Sequence, residues 1–417
     1  MSDPFHLCFR KVRMTIRYLH VIHSIDPASG GPREGIRQLT SVAGQLNHTV
    51  EVVVTEQPDP SWSREYDCPI HYAGPAYLKY GYAPRLSAWL KEHAARYDAI
   101  VVNGLWQYHG LCVQRALRGS KVPYFVFTHG MLDPWFKHEY PLKHLKKLMY
   151  WPWAEYRVLR DARAVLFTCE EERRLARESF SLYRANEWVV NYGVPEPKGD
   201  PAGQREAFLQ QFPQLRDKRF LLFLGRIHPK KGCDLLIEAF AAIRPRDPLL
   251  QLVIAGPDQV GLQAQLERQA GQLGVSDAIT WAGMLRGDVK TGALRAAEAF
   301  VLSSHQENFG IAVAESLACG TPVLISNKVN IWREVVQDRA GLAAPDTLAG
   351  TIELLRTWID LGPQERHRMA HDAFQSFANR FNIEAAAASL LNAIEHHSHP
   401  ADAGTPPQRF HAGQESP

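Results

Sequence analysis

Three features are scarce in this sequence: net charge, clustered cysteines and long apolar runs. The formal net charge is only +3 over 417 residues, so the charge balance gives no reason to expect nucleic acid as a partner. The six cysteines are scattered and none has zinc-ligand spacing, which favours a reduced, cytosolic protein without a structural metal. No apolar run approaches the ~20 residues that span a bilayer, and the N-terminus lacks the residue order of a secretory signal.

The chain is long enough for two hydrophobic cores. Its 417 residues, 45% of them hydrophobic, exceed the ordinary size of one domain. Short apolar runs alternate with helical patterns in both halves, and this alternation predicts doubly wound parallel sheets. A stretch rich in proline and glycine follows Gly193 and has the composition of a linker. The sequence therefore predicts an α/β fold in which two similar doubly wound domains face a central cleft.

The predicted organisation can be given in residue numbers. Predicted strands in the first half lie at 16–22, 50–55, 99–103, 124–128, 164–168 and 189–192. Those in the second half lie at 220–224, 252–255, 279–282, 299–303 and 322–326. The predicted parts are an N-terminal appendage at 1–13, with Met14 as an alternative start, a first domain at 14–195, a linker at 196–214, a second domain at 215–380, a final helix at 381–396 and a disordered tail at 397–417.

The most informative segment is a glutamate-containing loop that opens a helix at Gly310. Glu307 lies at the carboxyl end of a predicted buried strand, where open α/β sheets bind ligands. Glu315 follows about one and a half helical turns further on, and its side chain can lean back towards the helix start. Each carboxylate can accept two hydrogen bonds, which suits sugar hydroxyls at Glu307 and a ribose at Glu315. The backbone N–H groups of Asn308, Phe309 and Gly310 suit a phosphate.

A second group of charges surrounds a tight turn after the predicted strand at 220–224. Gly225 begins the turn, and Arg226 and Lys231 flank it before a helix starts. When a sugar leaves a nucleotide diphosphate, negative charge grows on the departing phosphate, and fixed cations at a helix N-terminus can stabilise that charge without a metal. Arg226 can bind phosphate oxygens bidentately, whereas Lys231 acts as a point charge.

Together these motifs resemble those of the family-4 retaining glycosyltransferases, which have the two-domain GT-B fold. The order of elements from Thr15 to about His396 is similar to that family. The resemblance implies retaining transfer of a mannose-type or glucose-type hexose from a nucleotide-diphosphate sugar, with no metal and no cofactor. It implies that Arg226 and Lys231 stabilise the leaving phosphate and that Glu307 and Glu315 bind the sugar and the ribose. It also implies that the final helix crosses back to the first domain.

The resemblance suggests roles for further residues at predicted strand ends. The Gly30-Gly31 loop would face the donor phosphates, and Gly256 would lie near the nucleotide. His129 matches the family's cleft histidine, which lies near the reacting sugar, and Asp133 is a weaker candidate. The predicted catalytic set is thus His129, Arg226, Lys231 and Glu307, and the predicted donor-binding set is Gly30, Gly31, Gly225, Arg226, Lys231, Gly256, Asn308, Phe309, Gly310 and Glu315.

The segment 135–153 mixes lysines with aromatic rings. This mixture suits the boundary of an anionic membrane, and it equally suits an amphipathic helix with its rings in the core and its lysines in solvent. On the membrane interpretation the acceptor would be a saccharide or a polyprenyl-diphosphate-linked saccharide in surface polysaccharide assembly. The protein would then be cytoplasmic and peripheral at the inner face of the plasma membrane. The predicted acceptor or membrane surface comprises Lys143, Lys146, Lys147, Trp151 and Trp153.

Two other functional classes stay open at this stage. A nicotinamide-dependent oxidoreductase is disfavoured because the Gly-x-Gly-x-x-Gly fingerprint is missing. A GT-B nucleotide-sugar epimerase would be distinguished by consuming nucleotide sugar without an acceptor. Guanine and uracil remain alternatives for the base.

Overall fold

Two parallel β-sheets organise the protein. The computed structural model describes residues 15–398. The predicted appendage at 1–13 and the predicted tail from residue 399 onward lie outside the described residues. Within them, the predicted α/β class with two doubly wound sheets is confirmed.

The first sheet has seven strands in the order β3-β2-β1-β4-β5-β6-β7, paired in parallel. Its central strands are runs of Val, Ile and Phe that are buried on both faces, as expected for a parallel sheet covered by helices. The strands are β1 (Arg17–Ile22), β2 (Thr49–Val54), β3 (Ile70–Tyr72), β4 (Ala99–Asn103), β5 (Tyr124–Phe127), β6 (Ala164–Phe167) and β7 (Glu187–Val189).

The second sheet has six parallel strands in the order β10-β9-β8-β11-β12-β13. In both sheets the strand order reverses once, between β1 and β4 in the first and between β8 and β11 in the second. Ligands of open α/β sheets bind at such switch points. The strands are β8 (Phe220–Leu224), β9 (Gln251–Ala255), β10 (Ile279–Gly283), β11 (Ala299–Leu302), β12 (Val323–Ser326) and β13 (Gly341–Ala344).

Helices connect the strands of each sheet. The first domain contains α1 (Gly31–Ala43), α2 (Pro60–Ser63), α3 (Pro84–His93), α4 (Tyr108–Ala116), α5 (Trp135–Glu139), α6 (Pro141–Tyr150), α7 (Glu155–Asp161) and α8 (Glu170–Ala176). The remainder of the described chain contains α9 (Pro201–Gln211), α10 (Cys233–Ile243), α11 (Gln263–Gln272), α12 (Gly287–Ala296), α13 (Ile311–Ala318), α14 (Trp332–Gln337), α15 (Leu348–Asp360), α16 (Pro363–Ser376) and α17 (Ile383–Ser398). Among residues 15–398, no helix is long and apolar enough to cross a bilayer.

The region predicted as a linker, 196–214, is partly a helix, which corrects that prediction. Asp200 caps α9 by accepting hydrogen bonds from the N–H groups of Ala202 and Gly203. A proline at the first helical position fits the helix start, so the proline content that indicated a linker instead marks a helix N-terminus. Gln204 Nε2 donates a hydrogen bond to Asp288 Oδ1 on α12 at 2.9 Å, and this bond connects α9 to the second domain.

The last helix, α17, returns to the first domain. Around its start, the N–H of Val194 donates to the carbonyl of Phe381 at 2.8 Å, and the N–H of Ile383 donates to the carbonyl of Val194 at 3.0 Å. The N–H of Asn191 donates to Ser389 Oγ within α17 at 3.2 Å. The helix continues to Ser398, two residues beyond the predicted end at 396.

Candidate active site

The Glu307 loop joins β11 to α13 in the cleft. Gly310 has φ of 76°, a left-handed conformation that glycine adopts without strain, and it lets the chain turn directly into the helix. The N–H of Glu307 donates to the carbonyl of Lys328 at 2.9 Å, and its carbonyl accepts from the N–H of Asn330 at 3.0 Å. The backbone of Glu307 is therefore fixed on both sides by the loop after β12.

The carboxylate of Glu307 forms an ion pair with Lys231. A 3-10 turn at Pro229–Lys231 and the left-handed Gly232 place this lysine at the carboxyl end of β8. Burial raises the pKa of Glu307, but the charges of Lys231 and Lys230 outweigh burial and hold that pKa below its ordinary value. Glu307 is thus a carboxylate at neutral pH, and two lysines lie beside it.

The second predicted glutamate, Glu315, has a partner that the sequence did not reveal. Lys290 on α12 contacts it, with Nζ 2.6 Å from Glu315 Oε1. The two predicted carboxylates therefore each face a lysine from a different element. Carboxylate and ammonium groups in these pairs offer both acceptors and donors to a polyhydroxylated, anionic ligand.

The start of α13 offers free backbone donors. In the part of the chain that the structure describes, no carbonyl or side chain accepts from the N–H groups of Asn308, Phe309 and Gly310. These groups and the helix dipole favour an anion at this point. Arg226 is exposed, 3.5 Å from Gln259, and its charge contributes to lowering the pKa of Glu307. Both predicted cations therefore act on the Glu307 loop, Lys231 by contact and Arg226 at longer range.

His129 faces Glu307 across the cleft in the loop after β5. Its backbone has φ of 49°, which is uncommon for a residue other than glycine. The ring stacks on Phe127 at 4.7 Å, and Nε2 is 3.1 Å from Asn103 Oδ1. Burial, assisted by His20, lowers the pKa of His129 to about 3. The imidazole is therefore neutral at physiological pH, and it can orient a substrate but carries no charge.

One cavity brings several predicted residues together. It lies between the two domains, and its lining includes Tyr192, which is not among the predicted site residues. Tyr192 packs edge-to-face against His129 at 6.1 Å and against Phe309 at 5.0 Å, and its hydroxyl donates to the carbonyl of Gly31 at 3.3 Å. The predicted residues that line this cavity are Gly31, His129, Glu307, Asn308, Phe309 and Gly310.

The other predicted glycines lie at turns in both domains. Gly30 has φ of 81° and precedes α1. Gly256 has φ of 140°, and a Cβ there would overlap the carbonyl of Gly225, so these two turns pack directly on each other. Among residues 15–398, no group of three or more His, Cys, Asp and Glu side chains is arranged to hold a metal.

Glu172, which the sequence did not single out, joins the two sides of the cleft. This buried residue on α8 accepts from Thr128 Oγ1 at 2.6 Å and from the N–H of Gly130 at 2.5 Å, on either side of His129. Its other oxygen accepts from the N–H of Thr168 at 2.7 Å and from Asn308 Nδ2 at 3.3 Å. One carboxylate therefore positions the His129 loop and contacts the residue next to Glu307.

The predicted membrane surface is only partly a surface. Lys143 and Lys146 are exposed, and Trp153 is 69% exposed. Trp151 is 2% exposed and stacks on Phe180, so its assignment to the surface has to be corrected. Lys147 lies over the ring of Trp106 at 4.2 Å, and burial lowers its pKa to about 8. The ring of Trp151 lies in the hydrophobic core, as predicted by the alternative interpretation of this segment as an amphipathic helix.

The arrangement of two facing Rossmann-like domains defines the GT-B class of fold. The crystal structure of HepE from Anabaena, in complex with UDP and glucose, superposes with a TM-score of 0.71 at 18% identity. The match covers 91% of this chain and 99% of that chain. At this identity the likeness shows the fold.

Sequence family models identify the chain more closely. Residues 30–193 match the glycosyl transferase 4-like domain, and residues 204–376 match the glycosyl transferases group 1. The two matches follow each other in the order of the two domains. The chain belongs to the group 1 glycosyltransferases with a family-4-like N-terminal domain.

Two curated relatives illustrate the spread of this family. D-inositol 3-phosphate glycosyltransferase of Geodermatophilus obscurus is 35% identical over 192 residues, which is 44% of this chain and 42% of that protein. Mannosylfructose-phosphate synthase of Agrobacterium fabrum is 25% identical over 348 residues, covering 76% of this chain and 75% of that protein. The match to the first relative thus spans less than half of its length.

Proposed function

We propose that the protein is a retaining, metal-independent hexosyltransferase that uses a nucleotide-diphosphate sugar. The observation that carries this proposal is the Glu307–Lys231 pair at the start of α13, with the neutral His129 facing it across the cleft. The free N–H groups of Asn308 and its neighbours suit the diphosphate, and Glu315 suits the ribose. HepE, which has the same fold, is described with UDP-glucose, and this supports a nucleotide sugar as donor.

The proposed reaction exchanges one carbon–oxygen bond for another. The bond from the anomeric carbon to the diphosphate breaks, and a bond to the acceptor oxygen forms on the same face. The acceptor proton moves to the departing phosphate oxygen. Lys231 and Arg226 stabilise the charge that grows there, and Glu307 and His129 orient the sugar. Since His129 is neutral, its contribution is a hydrogen bond, and proton transfer does not depend on it.

The test combines nucleotide binding with turnover. UDP, GDP and their sugars are added in EDTA, and the thermal midpoint is measured, because a ligand of the folded state raises it. We expect one nucleotide diphosphate to raise it in EDTA, and its sugar to be hydrolysed slowly without acceptor. A response to NAD alone would overturn the proposal. Conversion of the donor to its epimer, without release of nucleotide, would indicate the epimerase alternative.

We further propose that the acceptor is a lipid-linked saccharide in surface polysaccharide assembly and that α6 contacts an anionic membrane. Three apolar side chains on this helix are exposed: Leu142 (77%), Leu145 (57%) and Met149 (68%). They recur at helical spacing beside the exposed Lys143 and Lys146, the combination that favours a peripheral, in-plane membrane helix.

Vesicle sedimentation tests this contact. The protein should sediment with vesicles of anionic lipid and stay in solution with neutral ones. Replacing Leu142, Leu145 and Met149 with Ser should abolish sedimentation, whereas the same change at the exposed Leu249 on the other domain should not. Equal sedimentation of all three proteins would remove the membrane contact from the proposal.

A further inference from the structure

A second, wider cavity lies beside the candidate active site, between α5 and the loops of the second domain. Trp135 and Tyr140 line it from the first domain, and His228, His305 and Asp346 line it from the second. Lys230 lines both cavities. The two cavities therefore adjoin at the Lys230 side chain.

Aromatic rings form one wall of this second cavity. Trp135 and Tyr140 are half-buried and meet edge-to-face at 5.9 Å. Lys230 Nζ lies 5.9 Å from the rings of both Trp135 and Phe136, and Phe136 belongs to the lining of the first cavity. Flat rings of this kind pack against the C–H faces of pyranose sugars, with one end apolar and the other open to water.

The charged groups of the cavity favour hydroxyl groups over phosphate. Its lining contains three carboxylates, those of Glu139, Asp234 and Asp346, against the single ammonium of Lys230. Burial lowers the pKa of Lys230, as does the charge of Lys231. His305 Nδ1 forms a hydrogen bond with Asp346 Oδ2 at 3.0 Å. An added phosphate would be repelled by these carboxylates, whereas sugar hydroxyls can donate to them.

We propose that this second cavity is the acceptor subsite and that it binds the uncharged saccharide part of the acceptor. The inference rests on the proposed glycosyltransferase function and names the class of acceptor that the site takes. An uncharged sugar stacks on Trp135 and Tyr140, donates to the carboxylates and presents a hydroxyl to the donor sugar beyond Lys230. A small sugar phosphate does not fit this lining.

The test compares uncharged and phosphorylated sugars on the full-length protein. Maltotriose, mannotriose and cellotriose are the uncharged probes, and glucose 6-phosphate, mannose 6-phosphate and fructose 6-phosphate are the charged ones. Binding is measured by saturation-transfer NMR with UDP or GDP present. We expect at least one trisaccharide to bind and Trp135→Ala to weaken it tenfold or more, with Trp135→Phe retaining part of the binding. Trp62→Ala, on α2 and outside both cavities, is the control and should bind as the wild type does.

Each other outcome overturns the inference. Equal trisaccharide binding by Trp135→Ala, preferential binding of the sugar phosphates, or no binding of any saccharide would each do so. Asp346→Asn adds a second comparison. It should weaken binding of the trisaccharide, whereas a phosphate site would bind glucose 6-phosphate more tightly after this change. The thermal shift with nucleotide diphosphates is measured on the same samples. If a nucleotide diphosphate raises the thermal midpoint but no saccharide binds, only the acceptor subsite is refuted. If no nucleotide diphosphate raises the midpoint, the proposed function is refuted as well.

Discussion

Glu307 combines a fixed backbone, a lysine partner and a place in the cavity, and no other predicted residue has all three. Replacing it with Gln keeps the shape of the side chain but removes the charge that Lys231 and Lys230 face. We expect turnover to fall about 100-fold or more, because the lost interaction acts on the sugar and on the lysine that stabilises the leaving group. The measurement is kcat for transfer or for donor hydrolysis, with circular dichroism as the check on folding.

The exposed Glu353 on α15 gives a matched control for this variant. Glu353→Gln makes the same chemical change far from the cleft and should leave kcat unchanged. If Glu307→Gln retained wild-type turnover, Glu307 would have no part in binding the donor sugar.

Lys290 is the residue that holds the Glu315 side chain in place. The 2.6 Å contact fixes the carboxylate that we assign to the ribose. Lys290→Ala should therefore weaken nucleotide diphosphate binding about fivefold, in line with the ~1 kcal/mol contribution of a partly exposed ion pair. Isothermal titration calorimetry measures the affinity, and Lys290→Arg should restore most of it. An unchanged affinity in Lys290→Ala would mean that Glu315 needs no such support.

At the scale of elements, α8 couples two loops of the site through Glu172. Its carboxylate accepts four hydrogen bonds from the loops after β5 and β6, at Thr128, Gly130 and Thr168. Glu172→Ala would leave these donors without a partner, so we expect the free energy of unfolding to fall by roughly 2–4 kcal/mol. Urea denaturation measures this change. The exposed neighbour Glu170, changed to Ala, should cost less than about 1 kcal/mol, and equal losses in the two variants would contradict the role of Glu172.

Strands with strong apolar patterns were predictable from sequence, and weak ones were not. The runs that became β4, β5 and β8 are buried Val, Ile, Leu and Phe between turn residues. The three-residue edge strand β3 is half-buried and too short to show a pattern, and β13 is Gly-Leu-Ala-Ala, which lacks β-branched residues. The strand predicted at 189–192 is β7 at Glu187–Val189, because pairing with β6 rather than local pattern sets its ends.

The residues of the candidate site were likewise predictable only in part. Residues on a single motif, such as Glu307 and Gly310, were predictable because the strand, turn and helix signals are adjacent in the chain. Lys290 and Glu172 were not, because their partners Glu315 and Asn308 are brought to them by the fold across 25 and 136 residues. The role of the site residues stays a prediction until the variants are measured.

At the scale of the whole molecule, polar contacts close the cleft on both sides of Glu307. Gln306 Nε2 donates to Asp133 Oδ2 at 2.9 Å, and Asn308 Nδ2 donates to Thr168 Oγ1 at 3.2 Å. The acceptors belong to the first domain and the donors to the second. Movement of one domain relative to the other would therefore shift the Glu307 loop directly, which links the geometry of the site to the distance between the domains.

The first domain also contains a cluster of histidines around Asn103 that makes its stability depend on pH. His20 and His129 contact the side-chain amide at 3.0 and 3.1 Å, and His109 donates to the backbone carbonyl at 3.0 Å. Burial lowers the pKa of His20 and of His129 to about 3 and that of His109 to about 4. The folded state keeps all three neutral at a pH where the unfolded chain has already bound protons.

Because the unfolded state binds more protons below pH 6.5, acid favours unfolding. As the pH falls from 6 to 4.5, each neutral histidine should lower the free energy of unfolding by about 1.4 kcal/mol per pH unit. Urea denaturation at half-unit steps measures the slope. His20→Gln should reduce this slope by about 1.4 kcal/mol per pH unit, the contribution of one proton. His371→Gln, at an exposed position on α16, should leave the slope unchanged. A slope that is the same in the wild type and in His20→Gln would show that His20 takes up its proton without unfolding of the first domain.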